Sequence, residues 1–275
     1  LSDIAAMGGT PRYAMLTLAI PPAARSEKFW EEFFDGYFAL AESSGVVLIG
    51  GDLSAAPHEL AIDSCVLGDC ASGQALRRSG ARIGDGICVT GRLGASAAGL
   101  QLLLHGTAVN EASTALEQQA IRAHLRPVAR GEFGRQLGER NLAHAMIDVS
   151  DGLAQDLAHL CEASHVSAVL DRTAVPVADE VALLVTDADA AFQLAISGGE
   201  DYELLFTADD KDAAVLRQLA KSCALPLARI GEIIAPGEAA HGEAAQVMLR
   251  SAGQLKPLAI SGYDHFAVSA GLTLR

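Results

Sequence analysis

With 275 residues, half of them apolar, the chain is long enough to bury one large core or two ordinary ones, and it reads as globular. Its 20 Lys and Arg against 34 Asp and Glu leave a net charge of −14, which excludes a nucleic-acid surface, because phosphate backbones are bound by clustered basic side chains and no basic run occurs. An acidic protein that acts on anions must supply positive charge locally, and bound Mg²⁺ is a direct source of it.

The predicted elements begin with a strand from Arg12 to Ile20 (RYAMLTLAI), closed by Pro21-Pro22. Ser26 then caps a predicted helix in which Phe29, Trp30, Phe33, Phe34, Tyr37, Phe38 and Ala41 form a broad apolar stripe, read as core. Strands follow over Val46 to Ile49, ending at Gly50-Gly51-Asp52, and over Glu59 to Leu67. The polar, turn-rich stretch Gly68 to Asp85 separates this part from a longer one, so the boundary is placed near residue 72, giving units 1–71 and 72–275.

In the second unit a strand is expected at Ile87 to Thr90, then helices near Ala95 to His105, Ser113 to Arg122 and Val128 to Leu137. A strand runs into Asp148 and a helix follows it. Further strands are predicted near Ser167 to Leu170, Tyr202 to Thr207, Leu227 to Ile234 and Gln246 to Arg250, with helices near Val181 and from Lys211 to Ser222. Ala235 to Glu243 reads as a surface loop. Helices set between separated strands, with few tight hairpins, point to α+β layers rather than a sandwich.

Five cysteines (Cys65, Cys70, Cys88, Cys161, Cys223), odd in number and without a C-x-x-C pair, are expected to be buried free thiols in a reducing cytosol. No apolar stretch is long enough for a membrane span and no signal-peptide pattern is present, so a cytoplasmic location is expected, away from membranes.

Chemistry concentrates in Asp148-Val149-Ser150-Asp151-Gly152-Leu153, which puts two carboxylates and a hydroxyl at a strand-to-helix turn. Hard cations take carboxylate oxygens and helix starts take phosphate oxygens, so a metal-phosphate fits there; equally, Ser150 or Asp151 can simply cap the helix. Four further punctuations accompany it: Leu1-Ser2-Asp3-Ile4-Ala5-Ala6-Met7-Gly8, Val46 to Asp52, Ser197-Gly198-Gly199-Glu200-Asp201-Tyr202-Glu203-Leu204, and Gly262-Tyr263-Asp264-His265-Phe266.

Together, from Leu1 to about Phe266, these motifs resemble the thiamine-monophosphate kinase family, in the superfamily of aminoimidazole ribonucleotide synthetase and selenophosphate synthetase. The Ser197 block and the Gly262 block carry the family-specific likeness, whereas Gly-Gly-Asp and Asp-x-Ser-Asp-Gly-Leu are shared with relatives. The resemblance implies a two-domain aminoimidazole ribonucleotide synthetase-like α+β fold with a truncated N-terminal domain. Units 1–71 and 72–275 would then be the remainder of the ATP- and metal-binding domain and the C-terminal domain. The family motifs expected upstream of Leu1 are a Gly-Asp-Asp type pair, a Ser/Thr-Thr-Asp metal loop and a substrate-facing His, which leaves the activity of residues 1–275 alone an open expectation.

The implied activity is ATP-dependent phosphorylation of thiamine monophosphate to thiamine diphosphate, with Mg²⁺ and a homodimeric complete protein. By resemblance Asp3, Asp52, Asp148 and Asp151 are the metal ligands, and Gly51, Asp52, Arg78 and Ser150 bind ATP, with Arg77 a neighbouring rival to Arg78. Glu200 would accept hydrogen bonds from the aminopyrimidine and Tyr263 would stack on a heterocycle, unless it is a packed C-terminal aromatic. The acceptor phosphate is already an anion, so no general base is assigned. Asp201 and Glu203 are left out of the site, because a strand starting at Tyr202 would send Glu203 to the opposite face. Leu53 departs from the small polar residue usual after Gly-Gly-Asp. The rival readings are a sister ATP-dependent enzyme of the superfamily and a non-catalytic nucleotide-binding homologue.

Overall fold

Period-two alternation builds the central sheet. In β4 (Gly86–Thr90) Ile87 and Val89 face one apolar cluster and Cys88 the other. The same division holds in β5 (Ala145–Asp148), where Ala145 and Ile147 oppose Met146, and in β7 (Leu204–Ala208), where Leu205 opposes Leu204 and Phe206. A sheet apolar on both faces must be covered on both, and it is. The computed structural model describes residues 1–24, 26–107, 113–237 and 247–259.

This sheet has seven strands in the order β10-β9-β6-β8-β4-β7-β5, with β6 (Ser167–Asp171), β8 (Leu227–Ile234), β9 (Val247–Ser251) and β10 (Gln254–Pro257). Pairing is antiparallel except between β6 and β9. One face carries α6 (Leu153–Ser164) and α7 (Ala188–Ser197), whose Leu153, Leu157, Leu160, Phe192 and Ile196 fill the larger cluster. The other carries α5 (Gly131–Glu139) and α8 (Ala213–Ser222) through Phe133, Leu137, Leu216 and Leu219. Helices α3 (Ala95–Leu104) and α4 (Ala115–Leu125) pair with each other beside it, α4 opened by a Thr114/Glu117 capping box.

A second, three-stranded sheet has the order β2-β1-β3, with β1 (Thr10–Ile20) parallel to β2 (Val47–Ala55) and antiparallel to β3 (Ala61–Asp69). The short helix α1 (Ser2–Ala6) precedes it, yet Ala5 and Ala6 pack into the core of the large sheet against α5. That approach requires glycine in α5: a Cβ on Gly134 would lie 2.2 Å from the Ala5 carbonyl oxygen. Asp3 is thereby carried to the edge of β5.

Several expectations are corrected. The aromatic stripe of α2 (Glu27–Ser43) is not core: Ala41 is the buried residue of that helix, Phe29 and Phe38 are exposed, and the rings pack on one another, mostly edge to face, at centroid separations of 5.0 to 6.2 Å. β2 does not end at Gly50-Gly51-Asp52 but runs through it, because β1 continues to pair with it as far as Ala55. β7 starts at Leu204 rather than Tyr202, since Glu200 and Tyr202 hold positive φ of 64° and 50°, outside strand geometry. Cys65 is exposed because β3 has no covered face, Cys70 just beyond that strand is exposed, Cys223 is half-buried, and Cys88 and Cys161 alone are buried. Helices α1 and α7 and strand β10 are additions to the expected elements.

Candidate active site

Asp148 ends β5 with its side chain buried, and its Oδ2 accepts the Ser2 hydroxyl at 2.6 Å. Burial pushes its pKa above the usual carboxylate range, the nearby Asp3 adds to this, and Ser2 and Arg78 oppose it. Asp3, Arg77, Arg78 and Asp148 line one cleft of about 250 Å³ together with Ala6, Met7, Leu76, Met146 and Ile147. Both arginines are exposed and both reach the cleft, so the choice between them stays open. The backbone of Arg78 is fixed, its carbonyl accepting the Ser164 hydroxyl at 2.7 Å.

Beyond Asp148 the chain turns through Val149 to Gly152 and is laced to the Ser197 block. Val149 N–H donates to the Glu203 carbonyl, Tyr202 N–H to the Val149 carbonyl, and Glu200 N–H to the Ser150 carbonyl, each at 2.8 Å. The contact is tight, for a Cβ on Gly199 would lie 2.6 Å from the Ser150 carbonyl oxygen. Two motifs far apart in sequence thus share one ledge. Burial raises the pKa of Tyr202, and the charges of Glu200, Asp148, Asp3 and Asp151 add to it.

The Ser150, Asp151 and Gly152 N–H groups do not face outward as a phosphate cradle. Each donates to Asp156 Oδ2 at 3.1 Å, so the hydroxyl is what Ser150 has left to offer. Asp156 is buried and its pKa is pushed up to about 7, burial outweighing those N–H donors. Ligand atoms of Asp151, Asp156 and His159 lie within 4.8 Å of one another.

Glu200 is held in the left-handed region, a position where side chains are strained and which is enriched at functional sites. Its carboxylate lies 3.4 Å from His124 Nδ1, itself 3.0 Å from the Ser96 hydroxyl. Asp52 is not brought to this cluster: it is exposed in the middle of β2, opposite Thr17. Gly51 is required by its close approach to β1, since a Cβ there would lie 1.8 Å from the Leu16 carbonyl oxygen. Leu53 is 71 % exposed. Tyr263 lies outside the described residues.

Sequence reasoning missed three supporting acids. Asp156 holds the turn. Asp201 accepts the Gly94 and Ser96 N–H groups at 2.7 and 3.1 Å, capping α3 from a distance, and burial pushes its pKa up to about 7 against those bonds. Glu203 is buried, accepting from Thr90 Oγ1 at 2.6 Å, from Arg130 Nε at 2.8 Å and from Arg130 Nη2. The one available signal was Gly94, a helix start that brings no side-chain cap of its own.

The fold and its acidic ledge define a protein of the AIR synthase class: the family described as AIR synthase related protein, N-terminal domain, matches residues 1–70, and the corresponding C-terminal domain matches residues 82–242. Thiamine-monophosphate kinase of Salmonella typhimurium is 39 % identical over 267 residues, covering 97 % of this chain and 77 % of its own. The crystal structure of thiamine-monophosphate kinase from Stenotrophomonas maltophilia superposes with a TM-score of 0.78 at 40 % identity, over 90 % of this chain and 74 % of that one. AaThiL complexed with AMPPCP and TMP gives 0.79 at 29 % identity, over 96 % and 77 %. The chain belongs to the thiamine-monophosphate kinase family.

Proposed function

We propose that the protein transfers a phosphoryl group from ATP to the phosphate of thiamine monophosphate, forming thiamine diphosphate. The observation that carries this reading is the convergence of Asp3, Asp148 and Arg78 on one cleft beside the Ser150–Glu200 ledge, in a family whose relative AaThiL is complexed with AMPPCP and TMP. Oxygen donors from Asp3 and Asp148, which line one cleft, and from Asp151 on the turn that follows, suit Mg²⁺, and Asp52 is assigned to the same ion set. When bound, Mg²⁺ neutralises charge on the triphosphate and acceptor oxygens.

This chain's own residues then orient the reactants. Arg78, or Arg77 beside it, meets phosphate with a planar fork, and the Ser150 hydroxyl donates to a phosphate oxygen. Glu200 accepts from the aminopyrimidine and Tyr263 stacks on the substrate. The attacking oxygen is already anionic, so holding it in line with the donor is the main requirement.

We take residues 1–71 as part of the ATP- and metal-binding unit and 72–275 as the second unit, and infer a cytoplasmic homodimer. The dimer reading is supported by the small sheet, where Val47, Tyr13 and Leu67 are in register across three strands and all are exposed. No described helix is long and apolar enough to cross a membrane. The test is direct assay of thiamine diphosphate from ATP and thiamine monophosphate with Mg²⁺ varied. Product formation on an aminoimidazole precursor instead would move the protein to a sister activity.

A further inference from the structure

The turn that carries Ser150 and Asp151 has its N–H groups and the carbonyls of Val149 and Ser150 committed on its inner side. The carbonyls of Val149 and Ser150 accept from the Ser197 block, and the N–H groups of Ser150, Asp151 and Gly152 all donate to Asp156 Oδ2. One carboxylate oxygen gathering three successive N–H groups bends the chain around itself and fixes where each of those side chains leaves the turn. Asp156 is 1 % exposed, in the first turn of the rigid helix α6, so the anchor itself does not move.

Two alternatives are weaker. As a metal ligand with Asp151 and His159, Asp156 would have to use Oδ1, since Oδ2 is saturated by its three donors. As a plain helix cap it would serve only the N-cap Gly152 N–H, yet it also takes the Ser150 and Asp151 N–H groups, which lie outside α6 in the turn. We infer that Asp156 is a positioning residue for phosphoryl transfer: its Oδ2 sets the turn so that Asp151 and Ser150 meet Mg²⁺ and nucleotide phosphate together. This rests on the metal assignment of Asp148 and Asp151 made above.

The decisive comparison uses Asp156→Asn, which keeps a carbonyl acceptor, Asp156→Glu, which keeps the charge but displaces the oxygen by a methylene, and Asp156→Ala, which removes both. Mn²⁺ binding per folded molecule, read by electron paramagnetic resonance with a non-hydrolysable ATP analogue, is measured beside kcat, both KM values and Tm. Asp156→Glu and Asp156→Ala are expected to bind Mn²⁺ about 10-fold more weakly and to lose about 100-fold in kcat, with the KM for thiamine monophosphate within about 2-fold. Asp156→Asn should stay within about 3-fold of wild type on every readout. If Asp156→Ala fails to fold, Asp156→Glu carries the comparison. Wild-type Mn²⁺ affinity in Asp156→Glu, with only Tm lowered, would make Asp156 structural and overturn the inference. Loss in Asp156→Asn with wild-type behaviour in Asp156→Glu would make its charge, not the placement of its acceptor oxygen, the active feature and overturn it too. An Asp151→Asn variant with wild-type Mn²⁺ affinity would sink the metal assignment separately, whatever the Asp156 variants do.

Discussion

Asp148, assigned above to the metal set, is a residue costly to the fold. Its charge is desolvated and sits beside Asp3, so a neutral amide of the same shape removes repulsion while still accepting the Ser2 hydroxyl. Asp148→Asn is therefore expected to keep or raise Tm while cutting kcat on the order of 100-fold or more, the loss being read at saturating ATP with Mg²⁺ titrated. Near-normal turnover at limiting Mg²⁺ would remove Asp148 from the metal set. On the substrate side, Glu200→Gln should raise the KM for thiamine monophosphate about 10-fold and leave that for ATP within about 2-fold, since Glu200 belongs to the ledge and not to the cleft of Arg77 and Arg78. Calorimetry that showed equal loss for both ligands would contradict this division. The motif acids could be read from sequence because two carboxylates at a strand end have no packing role. Asp156 could not: on a helix of period 3.6 it looks like any polar residue, and its three donors are fixed only once the turn has formed.

At the scale of elements, the sequence read most strands and helices to within a few residues but lost the turn between Ser197 and Leu204. Glu200 and Tyr202 take left-handed φ without glycine to announce it, and that two-residue delay in β7 inverted the reasoning about Asp201 and Glu203. Both turn inward. Glu203 ties Thr90 of β4 to Arg130 at the start of α5, so Glu203→Ala leaves a largely buried guanidinium unpaired and is expected to cost about 3 kcal/mol by denaturant titration. Asp201 adds a pH signature. Its pKa is raised from 3.8 to about 7, so the folded state holds that proton more tightly than the unfolded chain does. The resulting stabilisation is full below about pH 4 and is lost as pH rises through about 7. Asp201→Asn should flatten that fall, and the difference between variant and wild-type Tm should grow in the variant's favour from pH 4 to 7.5. A constant difference across that range would show that Asp201 does not titrate there.

For the whole molecule, the large sheet with its helices closes its own core, whereas the small sheet does not. Apolar alternation alone could not foretell this, because Tyr13, Met15, Val47, Ile49, Leu53, Ile62 and Leu67 read as ordinary strand residues and only the assembled structure leaves them exposed. Asp52 sits on the same sheet without a described link to the other acids of the site. Both facts have one physical resolution if a second copy covers the face that carries Tyr13, Val47 and Leu67, burying that row and bringing Asp52 into a site that one copy leaves incomplete. The protein is then expected to sediment as a dimer, and Tyr13→Glu or Leu67→Glu to shift it toward monomer, since a charge buried without a partner opposes association. Such variants should weaken Mg²⁺-dependent turnover in the manner of Asp52→Asn, although they alter no metal ligand. Monomers that kept full activity would show that Asp52 acts within its own chain or not at all, and a dimer unaffected by either charge would place the interface elsewhere.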